Sequence, residues 1–438
     1  MSLIKPAYLL ITSFIIWLIA YLSIPATYIN LGESLWFPIL TLTFFNLLFV
    51  LGLNTVNGVP KKHPQISIQK KQIIILLLFG IGVLGATLRV FQRVFIQEIY
   101  FAEDLVKTRM DLMANEGNSG LIGVISAVAY PFTTVTLMLA ILWIKSIRKS
   151  FFIVIFLIGL YPIYDSFLTE SRLLIVFVLG MLVVTVLASK ISFFKSFTTF
   201  NFHKLPLFRI PTILRRKRVF IPLIIISVGF VIFSQKVINN RLAAFGYKDT
   251  LTIWEYYHET KIDKDFKQEV KRENSIVQKN KQIGMYSLKH YFSHSVFEYV
   301  RLVNHLESSY GYYYGLFEFY TFIKFAKIIG FDIPSFSELN EVSYKPAVYT
   351  TFWGPFFIDF GVFGFIISFI LGRFTKRMYL KAREGSESAI LIYAFIAVII
   401  LASFFVNLAM GGNLYFLNAI FISILFIKFW PNKTVITV

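Results

Sequence analysis

Long apolar runs alternate with short polar stretches along most of this chain. A helix needs roughly 20 mostly apolar residues to cross about 30 Å of hydrocarbon. Ten segments meet that length: 7–26, 35–57, 72–92, 120–144, 150–168, 172–189, 219–235, 349–371, 388–408 and 413–429. The pattern predicts an all-α, polytopic membrane protein. Spans one to seven lie in residues 1–235, a large loop in 236–348 and spans eight to ten in 349–438.

The composition supports lipid as the solvent. Hydrophobic residues make up 56% of the 438 residues and charged residues only 15%, and a soluble fold of this size would expose aggregating patches. The first apolar segment has no small-residue cleavage site, so we interpret it as a span rather than a signal peptide. The chain has no cysteine, which excludes disulfides, thiolate metal sites and cysteine nucleophiles.

The positive charge is unevenly distributed along the chain. With the N-terminus placed in the cytoplasm, the inner loops and termini hold 23 basic residues against two acids, Glu384 and Glu387. This asymmetry follows the positive-inside rule. The net charge of +19 is therefore attributed to topology and not to nucleic-acid binding. We expect both termini to be cytoplasmic.

The loop 236–348 is the largest predicted outer region. Its 113 residues are too many for a simple connection between spans. Its middle, "HETKIDKDFKQEVKRENSIVQKNKQ", is dense in both charge signs and predicts a solvated helix or a mobile arm. A second outer region, 93–119, carries mixed charge and is predicted to be helical near the membrane surface.

A polar stripe runs along the predicted helix 286–307. Its members fall at spacings of four, four, three and four, so they share one face; they are His290, His294, Glu298, Arg301 and His305. With apolar residues between them, the segment predicts an amphipathic helix at or near the membrane surface.

Two interpretations of this stripe stay open. It lines a substrate cleft, with an imidazole or Glu298 as base and Arg301 as phosphate clamp, or it is an ordinary solvated face. A zinc site from His290, His294 and Glu298 is geometrically possible. No other feature supports zinc, and we expect neither a metal nor a cofactor.

Four arginines lie near the predicted outer boundary of the spans: Arg89, Arg93, Arg172 and Arg241. A charge at membrane depth is costly and is a functional candidate for that reason. For Arg172, the alternative is a local ion pair with Asp165 or Glu170. For Arg89 and Arg93, the alternative is snorkelling at a helix end.

The segment 345–372, "KPAVYTTFWGPFFIDFGVFGFIISFILG", places a carboxylate inside an apolar run. Pro355 can occupy a first helical turn, and Asp359 would then lie near a helix N-terminus, where an anion is favoured. Asp359 is expected to pair with an arginine or to contact substrate. Nearby glycines permit close helix contact; they are Gly361, Gly364 and Gly372.

Three stretches of the chain resemble one protein family. "VYTTFWGPFFIDFGVFGFIISFILG" resembles the outer-loop-to-helix motif of bacterial oligosaccharide repeat-unit polymerases, the Wzy-type O-antigen and capsule polymerases. "HYFSHSVFEYVRLVNHLESSYGYYYGLFEFY" is similar to the aromatic-rich large loop of that family, and "ESRLLIVFVLG" resembles its arginine-containing span. The layout, with one large late outer loop, also matches.

The resemblance implies a metal-independent GT-C-type glycosyltransferase that uses undecaprenyl-diphosphate-linked oligosaccharide. Arg172, Tyr349, Thr351 and Asp359 match motif residues, whereas His290 and Arg301 match only the general character of the loop. The expected diphosphate and sugar contacts are Arg172, Arg241, Arg301, Tyr349, Thr351 and Arg89. The candidates for the base are His290, His294, Glu298 and Asp359. The family also implies a chain-length-regulating co-polymerase as partner.

Three other functions remain open at this point. A transporter or flippase for the same lipid-linked sugars would explain the helices and the arginines, but it usually brings pseudo-symmetric halves, and we see no such repeat. An O-antigen ligase would share the fold and the donor but use a different acceptor. A structural subunit of a polysaccharide export complex would need no catalytic residues.

Overall fold

The computed structural model describes residues 3–56, 58, 66–102, 108, 120–189, 229, 232–233, 237, 250–306, 312–345 and 348–430. Most of this chain is helical. Numbered within the described residues, the α-helices are α1 (Pro6–Ser23), α2 (Trp36–Asn54), α3 (Ile68–Phe91), α4 (Gly120–Ala129), α5 (Phe132–Leu142), α6 (Lys149–Gly159), α7 (Tyr161–Leu168), α8 (Arg172–Ala188), α9 (Thr250–His258), α10 (Lys264–Arg272), α11 (Ile276–Leu306), α12 (Tyr320–Ile323), α13 (Phe336–Asn340), α14 (Trp353–Phe360), α15 (Gly364–Arg383), α16 (Glu387–Ala402) and α17 (Leu414–Phe429).

Seven described helical segments are long and apolar enough to cross a membrane. They are Pro6–Ser23, Trp36–Asn54, Ile68–Ile96, Gly120–Leu142, Lys149–Leu168, Trp353–Arg383 and Gly411–Phe429. Helices α8 and α16 are apolar but shorter. These nine segments coincide with nine of the ten predicted spans, and the tenth, 219–235, lies largely outside the described residues. The all-α polytopic class is confirmed, while the number of spans and their orientation stay predictions.

Proline and glycine interrupt three of these long segments. Pro131 lies between α4 and α5, and Pro162 lies in the first turn of α7; proline there lacks the N–H that would continue the preceding helix. Between α14 and α15, Gly361 has a φ of 53°, a left-handed value that favours glycine. Each of these segments is nevertheless long and apolar enough as a whole to cross a membrane.

Helices α2 and α15 are in very close contact. A Cβ atom added to Gly52 would lie 2.2 Å from the carbonyl oxygen of Phe369, and one added to Gly372 would lie 2.1 Å from that of Phe49. The two backbones therefore touch, as small residues allow in membrane helices. The sequence-based expectation of close contact at Gly372 is confirmed.

A two-stranded sheet is a feature that the all-α prediction did not include. Strand β1 (Ala26–Tyr28) pairs antiparallel with β2 (Thr260–Ile262), with Thr27 opposite Lys261. Three-residue strands are too short to show a period of two, so the sequence pattern carries no signal for them. The sheet ties the loop after α1 to the region between α9 and α10. A small apolar core covers it: Ile24, Ala26, Leu251, Ile262, Val270, Ile283 and Tyr286.

Helix α11 is longer than predicted and packs inside the protein. Its 31 residues extend the predicted amphipathic helix by ten residues toward the N-terminus. The Trp17 side chain of α1 donates to the carbonyl of Ser293 at 3.0 Å, and the hydroxyls of Thr41 and Tyr299 hydrogen-bond at 3.0 Å. Helices α1 and α2 therefore flank α11, which is not one of the segments that meet the criteria for a span.

Candidate functional site

The polar stripe of α11 is buried. The exposed fractions are 2% for His290, 4% for His294, 3% for Glu298 and 2% for Arg301. The interpretation of these four residues as a solvated face is therefore wrong. Polar groups at this depth need hydrogen-bond or charge partners, and the partners come from segments far away in the sequence.

Arg301 is the centre of a buried ion-pair network. Its guanidinium pairs with Glu298 one helical turn earlier, and its Nε lies 3.2 Å from a carboxylate oxygen of Glu259. It also donates to the backbone carbonyls of Ile29 at 2.6 Å and Glu259 at 3.0 Å. These acceptors occupy the donors that a phosphate would need. The geometry favours a structural role for Arg301 over the predicted phosphate clamp.

Lys345 extends this network, and we call Arg301, Glu298, Glu259 and Lys345 the Arg301 network. The Nζ of Lys345 lies 3.1 Å from Glu259 and 3.8 Å from Glu298, and the Tyr344 hydroxyl donates to Glu259 at 3.0 Å. Burial raises the pKa of Glu259, but the bonds from Lys345 and Tyr344 and the neighbouring cations outweigh it, so the pKa is lowered overall. Glu259 therefore stays ionised and holds the loop 344–345 against α11.

Three histidine rings contact one another beside this network. The ring centroids of His258 and His290 lie 4.3 Å apart, and those of His290 and His294 lie 5.1 Å apart. Burial lowers the pKa of all three, to about 3 for His258, well below the usual value for His290 and to about 4 for His294. Neighbouring cationic groups, Arg301 and Lys345, act in the same direction. All three rings are neutral at neutral pH.

The hydrogen bonds of His294 fix which ring nitrogen carries its proton. Its Nδ1 lies 3.0 Å from the carbonyl oxygen of His290 and 3.1 Å from that of Tyr291. A carbonyl oxygen only accepts, so Nδ1 must be the donor. The lone pair is therefore on Nε2, which makes His294 a neutral acceptor able to take a proton.

Arg172 reaches this face of α11 from the first residue of α8. Its guanidinium carbon lies 5.2 Å from the ring centroid of Tyr291, within the range of a cation–π contact. The Tyr291 ring lies 5.9 Å from that of His294 and 6.3 Å from that of Tyr349. We call Arg172, Tyr291, His294 and Tyr349 the Arg172 cluster.

The segment before α14 provides the accessible edge of this cluster. Tyr349 is 42% exposed, so its ring is available to a ligand. Thr351 is fully buried, and its hydroxyl has no hydrogen-bond partner among the described residues. Tyr349 and Thr351 are only two residues apart, but they lie in different environments. The structure brings Tyr349 to Arg172 through Tyr291, whereas Thr351 is packed inside.

Arg89 lies in a second cluster, at the end of α3. Its Nε is 3.8 Å from one carboxylate oxygen of Asp165, and the Nε of Arg93 is 3.5 Å from the other. The Tyr100 hydroxyl donates to Asp165 at 2.7 Å. We call Arg89, Arg93, Tyr100 and Asp165 the Asp165 cluster. Simple snorkelling, the expected alternative for both arginines, does not describe side chains that are 17% and 15% exposed and paired with a buried acid.

Asp359 accepts hydrogen bonds from backbone N–H groups, whereas the sequence predicted an arginine or a substrate as its partner. Its carboxylate accepts from the backbone N–H of Phe317 at 2.9 Å and of Glu318 at 2.8 Å. The side chain is fully buried, in the last turn of α14 rather than near its N-terminus. Asp359 therefore fixes the turn before α12, because both of its carboxylate oxygens accept hydrogen bonds from that turn.

Sequence reasoning missed several residues that the structure brings to this region. Glu318 is 1% exposed, accepts from the Asn407 amide at 2.7 Å, and burial raises its pKa well above the usual value. His258 and Lys345 also escaped notice, since neither lies on a recognisable period. The charged segment that starts at His258 is a visible signal, but its mixed charges predict only a solvated helix or a mobile arm.

The remaining predicted site residue, Arg241, lies outside the described residues. Within the part of the chain that the structure covers, no group of three or more histidine, cysteine, aspartate or glutamate side chains is arranged to hold a metal ion. Of the predicted set, Arg172, His294 and Tyr349 come together. Arg301 and Glu298 pair with each other, and Arg89 lies in the Asp165 cluster.

Comparison with known proteins adds no relative. No family model, no curated protein and no solved structure matches the chain.

Proposed function

We propose that this chain is a membrane glycosyltransferase that joins undecaprenyl-diphosphate-linked oligosaccharide repeat units into a long surface polysaccharide at the periplasmic face of the inner membrane. One observation carries the proposal: a cation, an aromatic ring and a neutral imidazole meet in the Arg172 cluster. The resemblance of the segments around Arg172 and Tyr349 to repeat-unit polymerases supports the same assignment.

The reaction places two demands on such a site. The acceptor hydroxyl of one repeat unit attacks the anomeric carbon of the growing glycan, a new C–O bond forms, and the bond to the lipid diphosphate breaks. Negative charge develops on the departing undecaprenyl diphosphate, and the hydroxyl proton must go to a base. A fixed cation stabilises the negative charge on the departing diphosphate, and a positioned base accepts the proton of the hydroxyl.

Arg172 is assigned to the leaving diphosphate. Its guanidinium is planar and always charged, with donors that suit phosphate oxygens. The contact with the Tyr291 ring lies on one face of the guanidinium and orients it. No metal ion is needed for this step, because the arginine supplies the positive charge.

His294 is assigned to the acceptor hydroxyl. Its Nδ1 donates to backbone carbonyls, so Nε2 is oriented as the acceptor and takes the proton as the new bond forms. Two of the other base candidates have other partners, since Glu298 is paired with Arg301 and Asp359 accepts two backbone N–H groups. The exposed ring of Tyr349 provides a face on which a sugar can pack.

Deletion of the gene in its host tests this function. A polymerase is expected to leave surface glycan capped by single repeat units, because ligation still proceeds without polymerisation. Loss of all surface repeats would contradict the proposal and point to a flippase or a ligase. Unchanged chain lengths would contradict all three activities for this chain.

A further inference from the structure

Two arginines share one carboxylate in the Asp165 cluster. Arg89 lies in the last turn of α3 and Arg93 in the π-helical segment Gln92–Ile96 that follows it. Their Nε atoms approach opposite oxygens of Asp165 at 3.8 and 3.5 Å. Asp165 is 3% exposed, so its charge is held inside the protein. Two positive charges face one negative charge, which leaves one unit of positive charge uncompensated among the described members of the cluster.

The arginine donors are only partly used. Arg89 donates from Nη1 to the side chain of Gln92 at 3.2 Å, and Arg93 donates from Nη1 to that of Gln97 at 2.7 Å. Both acceptors are neutral amides. The buried Nε atoms of both arginines have no hydrogen-bond partner among the described residues, since their distances to Asp165 exceed a hydrogen bond. Each guanidinium has five N–H donors, so the pair has capacity for a further anionic acceptor.

The protein surface next to the Asp165 cluster is apolar. Phe91, Phe95 and Phe101 expose 45%, 68% and 76% of their surface around the arginines. Exposed phenylalanines form an apolar surface that lipid can cover, and arginines at the end of a span extend toward the membrane–water interface. The backbone changes there from α to π geometry over Gln92–Ile96, an irregularity frequent at functional sites.

We propose that Arg89 and Arg93 form an oxyanion site for a phosphate group at the membrane surface, and that Asp165 occupies the site until such a group displaces it. Phosphate oxygens match guanidinium geometry better than a single carboxylate held at 3.5 to 3.8 Å. The phosphate is the headgroup of a lipid or a free anion, two sources with the same chemistry. The inference goes beyond the proposed glycosyl transfer and does not depend on it, because it concerns side chains outside the Arg172 cluster.

Ligand-induced stabilisation of the purified full chain tests this site. In a detergent without phosphate, thermal unfolding is followed with increasing inorganic pyrophosphate or with increasing short-chain phosphatidylglycerol. A ligand that binds only the folded protein raises the unfolding temperature in proportion to its occupancy. A stronger response to the lipid identifies a headgroup as the source, and an equal response identifies a free anion. No response to either probe overturns the proposal.

Two variants and one control assign the response to the cluster. Asp165→Asn removes the competing carboxylate and is expected to bind the better probe about tenfold more tightly, which corresponds to about 1.4 kcal/mol. Arg93→Gln keeps the Arg89–Asp165 pair and is expected to lose the response. Arg272→Gln changes an exposed arginine on α10 and should respond like the wild type.

The response of Arg93→Gln decides whether the probe binds at the two arginines. A wild-type response in Arg93→Gln shows that the probe binds elsewhere. If Asp165→Asn does not fold, Arg93→Gln still decides the question, since one arginine remains to balance the buried acid. None of these measurements uses glycosyl transfer, so a failure of this site is distinguishable from a failure of the proposed function.

Discussion

The guanidinium carbon of Arg172 lies 5.2 Å from the ring centroid of Tyr291. This contact joins the start of α8 to the middle of α11, two helices that lie far apart in the sequence. Tyr291 precedes His294 by one helical turn, so the same ring places the cation beside the imidazole. The proposed chemistry depends on this contact.

Removing the Tyr291 ring should weaken polymer synthesis without abolishing it. Tyr291→Leu leaves Arg172 in place but takes away the surface that orients it. We expect the rate to fall about two- to fivefold, the effect of losing about 0.5–1 kcal/mol of cation–π energy. The measurement is the rate at which long glycan appears in membranes containing the variant. Tyr291→Phe retains the ring and should match the wild type, and an equal defect in both variants would argue against an orienting role.

Arg301 is expected to stabilise the folded protein rather than to bind the diphosphate. Arg301→Gln leaves the buried Glu298 and the partly exposed Glu259 without their guanidinium partner. Breaking a buried ion pair from one side costs about 3–5 kcal/mol, and we expect a clear drop in the unfolding temperature of the purified variant. Arg272→Gln, on the exposed face of α10, is the control and should unfold like the wild type. An Arg301→Gln protein with unchanged stability but no activity would restore the phosphate-clamp interpretation.

The buried histidines should make stability depend on pH. Their folded-state pKa values lie below the ordinary value of 6.5, at about 3 for His258 and about 4 for His294. Between pH 6.5 and those values, the unfolded chain binds more protons than the folded chain. The stabilisation is therefore complete above pH 6.5 and is lost as the pH falls, by up to about 1.4 kcal/mol per pH unit for each histidine.

Unfolding measurements between pH 8 and pH 4 follow this dependence. The unfolding temperature should be constant above the ordinary histidine pKa and should decline below it. His294→Gln removes one titrating group and should reduce the slope of the decline. A variant with the wild-type slope would show that His294 titrates in the folded protein as an ordinary, accessible histidine.

The contact between α2 and α15 should tolerate no side chain. A Cβ atom at Gly372 would lie 2.1 Å from a backbone oxygen of Phe49, and backbone cannot move aside as a flexible side chain can. Overpacking of this kind costs about 1–3 kcal/mol or more, so Gly372→Ala should lower both the unfolding temperature and the yield of folded protein. Gly80→Ala is the matched control, because a Cβ there has no atom within 4 Å. Equal behaviour of the two variants would contradict the close packing.

Sequence periodicity predicted the parts of the fold that are set by local physics. Length and apolarity located nine apolar helical segments among the described residues, because a bilayer-spanning helix must satisfy its backbone internally and expose apolar side chains. Gly372 was predicted to allow close contact for the same local reason. The sheet was missed, since the pairing of Ala26 with Ile262 depends on residues more than 200 positions apart.

The environment of the site residues was harder to predict than their position. The stripe on α11 has the spacing of a solvated face. It is buried because other segments pack against it and supply partners for its charges, among them Ile29, Glu259 and Lys345. Asp359 was expected near a helix N-terminus, but α14 ends one residue after it, and backbone N–H groups take its oxygens. Periodicity shows which residues share a face, whereas the partners of that face come from the tertiary fold.

The rate of glycan elongation by the purified protein decides whether the Arg172 cluster performs the transfer. The wild type and Arg172→Ala are supplied with undecaprenyl-diphosphate-linked repeat units, and the products are separated by length. We predict a ladder of long products for the wild type and single units for Arg172→Ala. Arg373→Ala changes an exposed arginine of α15 and should give the wild-type ladder. Long products from Arg172→Ala, or none from the wild type, would contradict the assignment.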